Sequence, residues 1–169
     1  KETSDYIRSL HISKGVKIKE STGLKKLEIL DNKIHSAALT DGSNIKVDFV
    51  IVGIGILPNT ELAESANLEI NNGIFVNDKC QTSIANIYAA GDCTSFMHKS
   101  NLVRLESVGN AIDQAAIVAQ NITNKNQSYI PKPWFWSDQY DLKLQIAGLN
   151  TGYDEVIIRK SETEQISHW

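Results

Sequence analysis

Cysteine is nearly absent. Cys80 and Cys93 are the only two in 169 residues, and their spacing matches neither a Cys-x-x-Cys redox pair nor a zinc site. They are expected to be reduced, mostly buried thiols. His11, His35, His98 and His168 lack the i, i+4 spacing that sets two imidazoles on one helical face, so no protein-bound metal is expected. There is no basic block either. A formal charge of -3 with acidic and basic residues interspersed argues against a dedicated nucleic-acid binder. The longest apolar stretches, such as Phe49 to Leu57 with its two glycines, are far too short to span a bilayer. No signal peptide is visible, and the expected location is the cytoplasm. Gly-x-Gly-x-x-Gly is also missing. After Gly53 and Gly55 the chain runs Ile-Leu-Pro, and Pro58 forbids the helix amide that would hold a pyrophosphate.

What is present fits a soluble globular chain, 41% hydrophobic and 22% charged, long enough for one sizeable core or two small ones. Tyr6, Ile7 and Leu10 have helical spacing over residues 4 to 14, with Gly15 as a stop. A strand is expected at Val16 and Ile18. Leu27 to Leu30, Ile34 to Leu39 and Ile45 to Val47, separated by Asp31-Asn32 and Asp41-Gly42, predict an antiparallel meander. FVIVGIG at 49 to 55 reads as a strand buried on both faces with a ligand edge at its carboxyl end. Glu61 to Ala66 is a helix of one turn or two, Asn72-Gly73 a turn, and 87 to 90 a second buried strand. A loop from Thr94 to Leu102 leads to a helix capped by Ser107. Its apolar positions Val108, Ala111, Ile112, Ala115, Ala119 and Ile122 fit a 3.6 period. Pro131 and Pro133 mark a boundary before short strands from Trp134 onward.

The chemistry concentrates around IYAAGDC at 87 to 93. Gly91 allows close backbone approach, and ionised Asp92 is acceptor-only, suiting a hydroxylated ligand better than a phosphate. Alone, a Gly-Asp after a strand is more often a plain turn. The helix start after Ser107 offers open amides and a positive dipole end, or simply caps a core helix. Arg104 and Glu106 alternate with Val103 and Leu105, so they share one face of an extended segment, by default as a solvent-facing ion pair. Trp134 and Trp136 share a face of their own, as interface anchors or as a wall for an aromatic cofactor.

The order of VDFVIVGIGILPNTELAE (47 to 64), INNGIFVNDKCQTSIANIYAAGDC, RLESVGNAIDQAA and PWFWSDQYDLKLQIAGLNTGYD resembles the ferredoxin reductase family of FAD-dependent pyridine nucleotide oxidoreductases. The similarity runs from about the amino terminus to Arg159, and PWFWSDQ separates this family from other two-nucleotide flavoproteins. The resemblance implies an α/β chain: a partial FAD/NAD-binding flavoprotein fold of parallel strands with an antiparallel β-meander, followed by the start of an α+β carboxy-terminal domain. Residues 1–54 would be the last part of an NAD-binding domain, 55–128 the second half of an FAD-binding domain, and 129–169 an incomplete reductase carboxy-terminal domain. Both dinucleotide fingerprints would lie upstream, and the chain would be truncated at both ends.

By the same resemblance Asp92, after Gly91, meets the ribityl chain of FAD. The Val108 amide meets the pyrimidine edge of the flavin, Trp136 lies against the flavin and nicotinamide region, and Glu106 lies near the nicotinamide amide. Gly53 and Gly55 let NADH approach. No catalytic side chain is implied. Electrons pass from NADH through FAD to a [2Fe-2S] ferredoxin. Alternatives are a rubredoxin, a quinone or a monodehydroascorbate-type radical as acceptor, or a non-catalytic piece that associates with its own copies.

Overall fold

Glu2 and Asp5 in the first turn and His11 in the last oppose the dipole of helix α1 (Glu2–Ser13). The structure, a computed structural model, describes residues 2–162 and 165–168, and the chain divides into two units, Lys1–Gly55 and Ile56–Trp169.

In the first unit α1 ends at Gly15, whose φ is +87°. The amides of Gly15 and Val16 reach back to the carbonyls of Ile12 and His11 at 2.9 and 3.0 Å, the bonding of a Schellman stop. The strand expected at Val16 and Ile18 does not form. Both side chains are exposed and the segment pairs with no strand among the described residues, so alternation alone did not make a ladder there. The meander does form: β1 (Leu24–Leu30), β2 (Lys33–Leu39) and β3 (Asn44–Lys46) run antiparallel in that order. Asp31 and Asn32 both take positive φ, 50° and 58°, as a two-residue hairpin turn requires. At the next turn Asp41 Oδ1 accepts from the amide and hydroxyl of Ser43 at 2.8 and 2.6 Å.

The buried strand expected at 49 to 55 is absent. The segment is irregular, and Ile51, Ile54 and Leu57 are 84%, 91% and 90% exposed. A central strand needs a ladder partner on each side. Among the described residues none pairs with this one.

The second unit opens with the short helix α2 (Glu61–Ser65). Asn72 (φ 54°) and Gly73 (φ 131°) turn the chain, so that Ile70 bridges Ile74. Only glycine fits at 73, since a Cβ would stand 2.8 Å from the Cys93 carbonyl. Strand β4 (Ile74–Phe75) pairs parallel with β5 (Thr94–His98), which pairs antiparallel with β6 (Asn101–Val103). Two expectations are corrected here. Residues 87 to 90 form no strand but an isolated bridge between Tyr88 and Gln81, flanked by bonds from the Thr82 amide to the Ile87 carbonyl and from the Ala89 amide to the Cys80 carbonyl. The strand instead follows Asp92, and the expected loop from Thr94 to Leu102 is a hairpin turning at Lys99 and Ser100, both with positive φ.

Helix α3 (Val108–Ile122) starts at Ser107 as expected, but buries the other face. Asn110, Gln114 and Asn121 are buried, while Val108, Ile112 and Ile122 are exposed. Three carboxamides at spacings of four and seven share one helical face, and the chain carbonyls around them supply acceptors. Asn121 Nδ2 donates to the carbonyls of Lys79 and Gln127 at 3.0 and 2.9 Å. The apolar core is Val76, Cys80, Phe96, Leu105 and Tyr129, with Ile117, Val118 and Phe135 packed against it. Phe96 and Tyr129 meet edge to face at 5.4 Å. Strands β7 (Trp134–Gln139) and β8 (Leu142–Ala147) form a hairpin through Tyr140, and β9 (Ile158–Lys160) pairs with β10 (Ile166–His168). Among the described residues no helix is long and apolar enough to cross a membrane.

Candidate functional site

Gly91 takes φ +91° and lies against Ala111 of α3, where its missing Cβ would sit 3.6 Å from that of Ala111. The positive φ is what glycine supplies there. The turn is bonded from within and from above. Its Gly91 carbonyl accepts from the Thr94 amide at 3.0 Å and the Thr94 hydroxyl at 2.8 Å. The Gly91 amide donates to Gln114 Oε1 at 2.8 Å. Held on both sides, the turn leaves Asp92 exposed.

At the start of α3, Ser107 is extended, with its hydroxyl accepting from the Asn110 amide at 3.3 Å and its carbonyl from the Ala111 amide at 3.0 Å. Helix geometry therefore leaves the amides of Val108 and Gly109 without an intrahelical acceptor. No acidic residue occupies the first turn, Val108 is exposed, and the space around Gly109 is open. The turn that carries one exposed carboxylate thus packs, through Gly91 and Ala111, on the first turn of a helix whose amino end is open and positively polarised. A hydroxylated chain beside an electron-rich ring edge is the ligand chemistry this pair accepts.

The other residues selected from sequence are distributed differently. Glu106 is half exposed and pairs with Arg104 Nη1 at 2.5 Å. The pair is not solvent-facing as expected, because the Arg104 side chain is only 12% exposed and its Cδ packs beneath Gly73. Buried Nε of Arg104 finds no hydrogen-bond partner among the described residues. Trp136 stands on β7 with its ring centroid 5.0 Å from that of Trp134, tilted by 33°. Phe135 between them faces the core, so alternation turns both tryptophans away from it. Gly53 and Gly55 belong to the first unit, with nothing within 4 Å of either Cβ position.

Cys80 is wholly buried, and burial, with the Asp78 charge, pushes its thiol up to about 11. Burial likewise moves Tyr129 up to about 12. Both cysteines are free thiols. Surface concavities of about 570 and 320 Å³ lie in the first unit, lined by residues such as His35 and His11. Sequence reasoning missed Gln114, Asn110 and Thr94. The legible signal was the carboxamides at 110, 114 and 121, spaced by four and seven so that they share one helical face.

Residues 1–115 match the family model described as pyridine nucleotide-disulphide oxidoreductase, and residues 134–169 match the one described as reductase C-terminal. The chain belongs to the pyridine nucleotide-disulphide oxidoreductase family. Within it, the likeness is to the ferredoxin reductases. It is 42% identical to rhodocoxin reductase of Rhodococcus erythropolis, over 94% of this chain and 38% of that protein. The crystal structure of the ferredoxin reductase for the CYP199A2 system from Rhodopseudomonas palustris superposes with a TM-score of 0.93 at 38% identity, over 99% of this chain and 42% of that one. That of the covalent putidaredoxin reductase-putidaredoxin complex gives 0.88 at 40%, over 94% and 39%. The fold is accordingly a partial two-nucleotide-binding flavoprotein fold, and the chain spans well under half the length of the proteins it matches.

Proposed function

We propose that this chain is part of an FAD-dependent oxidoreductase that carries electrons from NADH to a [2Fe-2S] ferredoxin. The carrying observation is the Gly91-Asp92 turn pinned against α3, beside the open amides of Val108 and Gly109. These residues fit a flavin dinucleotide in part. Asp92 accepts from ribityl hydroxyls, while the Val108 amide and the helix dipole favour negative charge at the pyrimidine edge. When bound, FAD supplies hydride acceptance from NADH and one-electron release.

The remaining roles follow from the resemblance. Trp136 covers the flavin and nicotinamide region, Glu106 holds the nicotinamide amide, and Gly53 and Gly55 leave room for NADH. The domain arrangement proposed with them is 1–54, 55–128 and 129–169. The similarity to a reductase solved in covalent complex with putidaredoxin supports a ferredoxin as acceptor; the location proposed with it is the cytoplasm.

The test uses the full-length polypeptide that carries this sequence. It is expected to purify yellow and to reduce a [2Fe-2S] ferredoxin with NADH faster than a rubredoxin, a quinone or monodehydroascorbate. A protein without flavin absorbance that fails to regain it on adding FAD would falsify the reading. A second reading concerns the 169-residue chain alone. The exposed run at Ile51, Ile54 and Leu57 favours association with its own copies, and the lack of a pyrophosphate cradle predicts weak or no FAD binding. Sedimentation and FAD titration of the 169-residue chain check both.

A further inference from the structure

Gln114 is fully buried and its Oε1 gathers donors from three directions. The Gly91 amide stands at 2.8 Å, the Thr94 hydroxyl at 2.9 Å and Asn110 Nδ2 at 3.3 Å. The orientation of the carboxamide is fixed by the first of these, because a backbone N–H can only donate. The single Thr94 proton lies between Gln114 Oε1 and the Gly91 carbonyl, closing a ring around the turn. Asn110 in turn donates to the Leu105 carbonyl at 3.0 Å and accepts from the Tyr129 hydroxyl at 2.7 Å. Gln114 Nε2 has no partner among the described residues. A buried donor left unanswered is unfavourable, so stability alone does not account for a carboxamide at this position. Its oxygen holds the backbone amide of Gly91, the residue immediately before Asp92.

We propose that Gln114 is a positioning residue for Asp92, locking the Gly91 backbone to α3 so that the carboxylate meets the ribityl chain. This rests on the flavin reading of the site. Gln114→Leu conserves volume and removes the acceptor, leaving the Gly91 amide buried and unpaired. Gln114→Glu retains it.

The experiment is FAD titration of the full-length holoprotein after flavin removal, with the visible spectrum and reduction potential of the bound flavin read alongside. Phe96→Leu serves as the control, a core change that does not touch the turn. Gln114→Leu is expected to raise the Kd for FAD about tenfold or more, beyond the control at equal loss of thermal midpoint, and to shift the flavin band and potential. Gln114→Glu is expected to restore both spectrum and affinity. If Gln114→Leu fails to fold, Thr94→Val removes one member of the ring and is expected to weaken FAD binding about threefold. Binding and spectra indistinguishable from Phe96→Leu overturn the proposal while leaving the flavin site standing. A wild-type protein that takes up no FAD removes that site, and this inference with it.

Discussion

Residues 49–57 are almost wholly apolar and stand in solvent, whereas residues 91–98 carry Asp92, Thr94, Ser95 and His98 and contribute heavily to the interior. The difference lies in what each segment has to pair with. β5 has β4 on one side and β6 on the other, and its polar side chains are answered one by one. Ser95 donates to the Asn71 carbonyl at 2.6 Å and Thr94 to the Gly91 carbonyl at 2.8 Å. No strand among the described residues offers the same to Phe49 through Leu57. Hydropathy names a preference, and partners decide whether it is realised.

The largest test of that contrast is Phe96→Ala. Phe96 packs on Tyr129 inside the β5 core, and its truncation is expected to cost about 3–5 kcal/mol by cavity formation, read from urea unfolding. A cost near zero would mean that the second unit has no fixed core. Alkali probes the same core. Cys80 and Tyr129 ionise ordinarily near 9.0 and 10.0 and are held up to about 11 and about 12 by burial. For acids whose folded values are raised, the unfolded chain loses its protons first. Stability is therefore full below pH 9, and falls as pH rises toward 11 for the thiol and 12 for the phenol, by up to about 1.4 kcal/mol per pH unit for each group. Cys80→Ala is expected to delay the onset of that fall to about pH 10, as followed by midpoints across the range. Asp92→Ala in the full-length protein removes an acceptor without touching the core. It is expected to weaken FAD binding by about 1.5–3 kcal/mol while leaving the urea midpoint in place.

Much of this was legible in sequence, and the failures have one cause. α1, the meander and the start of α3 were readable because local chemistry decides them: Gly15 at a stop, Asp31-Asn32 in a hairpin, Ser107 at a cap. Residues 49–55 and 87–90 were misread because an apolar run reveals burial only when the strands beside it are known. The inward face of α3 was misassigned for a related reason. Asn110, Gln114 and Asn121 are buried by specific carbonyl and amide partners distant in sequence, and periodicity counts apolar residues rather than partners. At the candidate site the residue types of Asp92 and Val108 were readable. The hydrogen-bond ring that holds the Gly91 turn, through Gln114 and Thr94, was not.

Two smaller substitutions sharpen the contrast from opposite sides. Ser107→Ala deletes the hydroxyl that accepts from the Asn110 amide and is expected to cost about 1 kcal/mol, the usual loss of a helix N-cap. Ile54→Ser is expected to change the unfolding free energy of the 169-residue chain by less than about 0.5 kcal/mol, although it replaces one of the most apolar side chains by a hydroxyl. An Ile 91% exposed has little transfer energy left to lose. Its effect should appear instead in association: sedimentation at rising concentration is expected to show less self-association for Ile54→Ser than for the unchanged chain. A large loss of stability from this one change would show that residues 49–57 pack in solution as β5 does, and would erase the difference between the two segments.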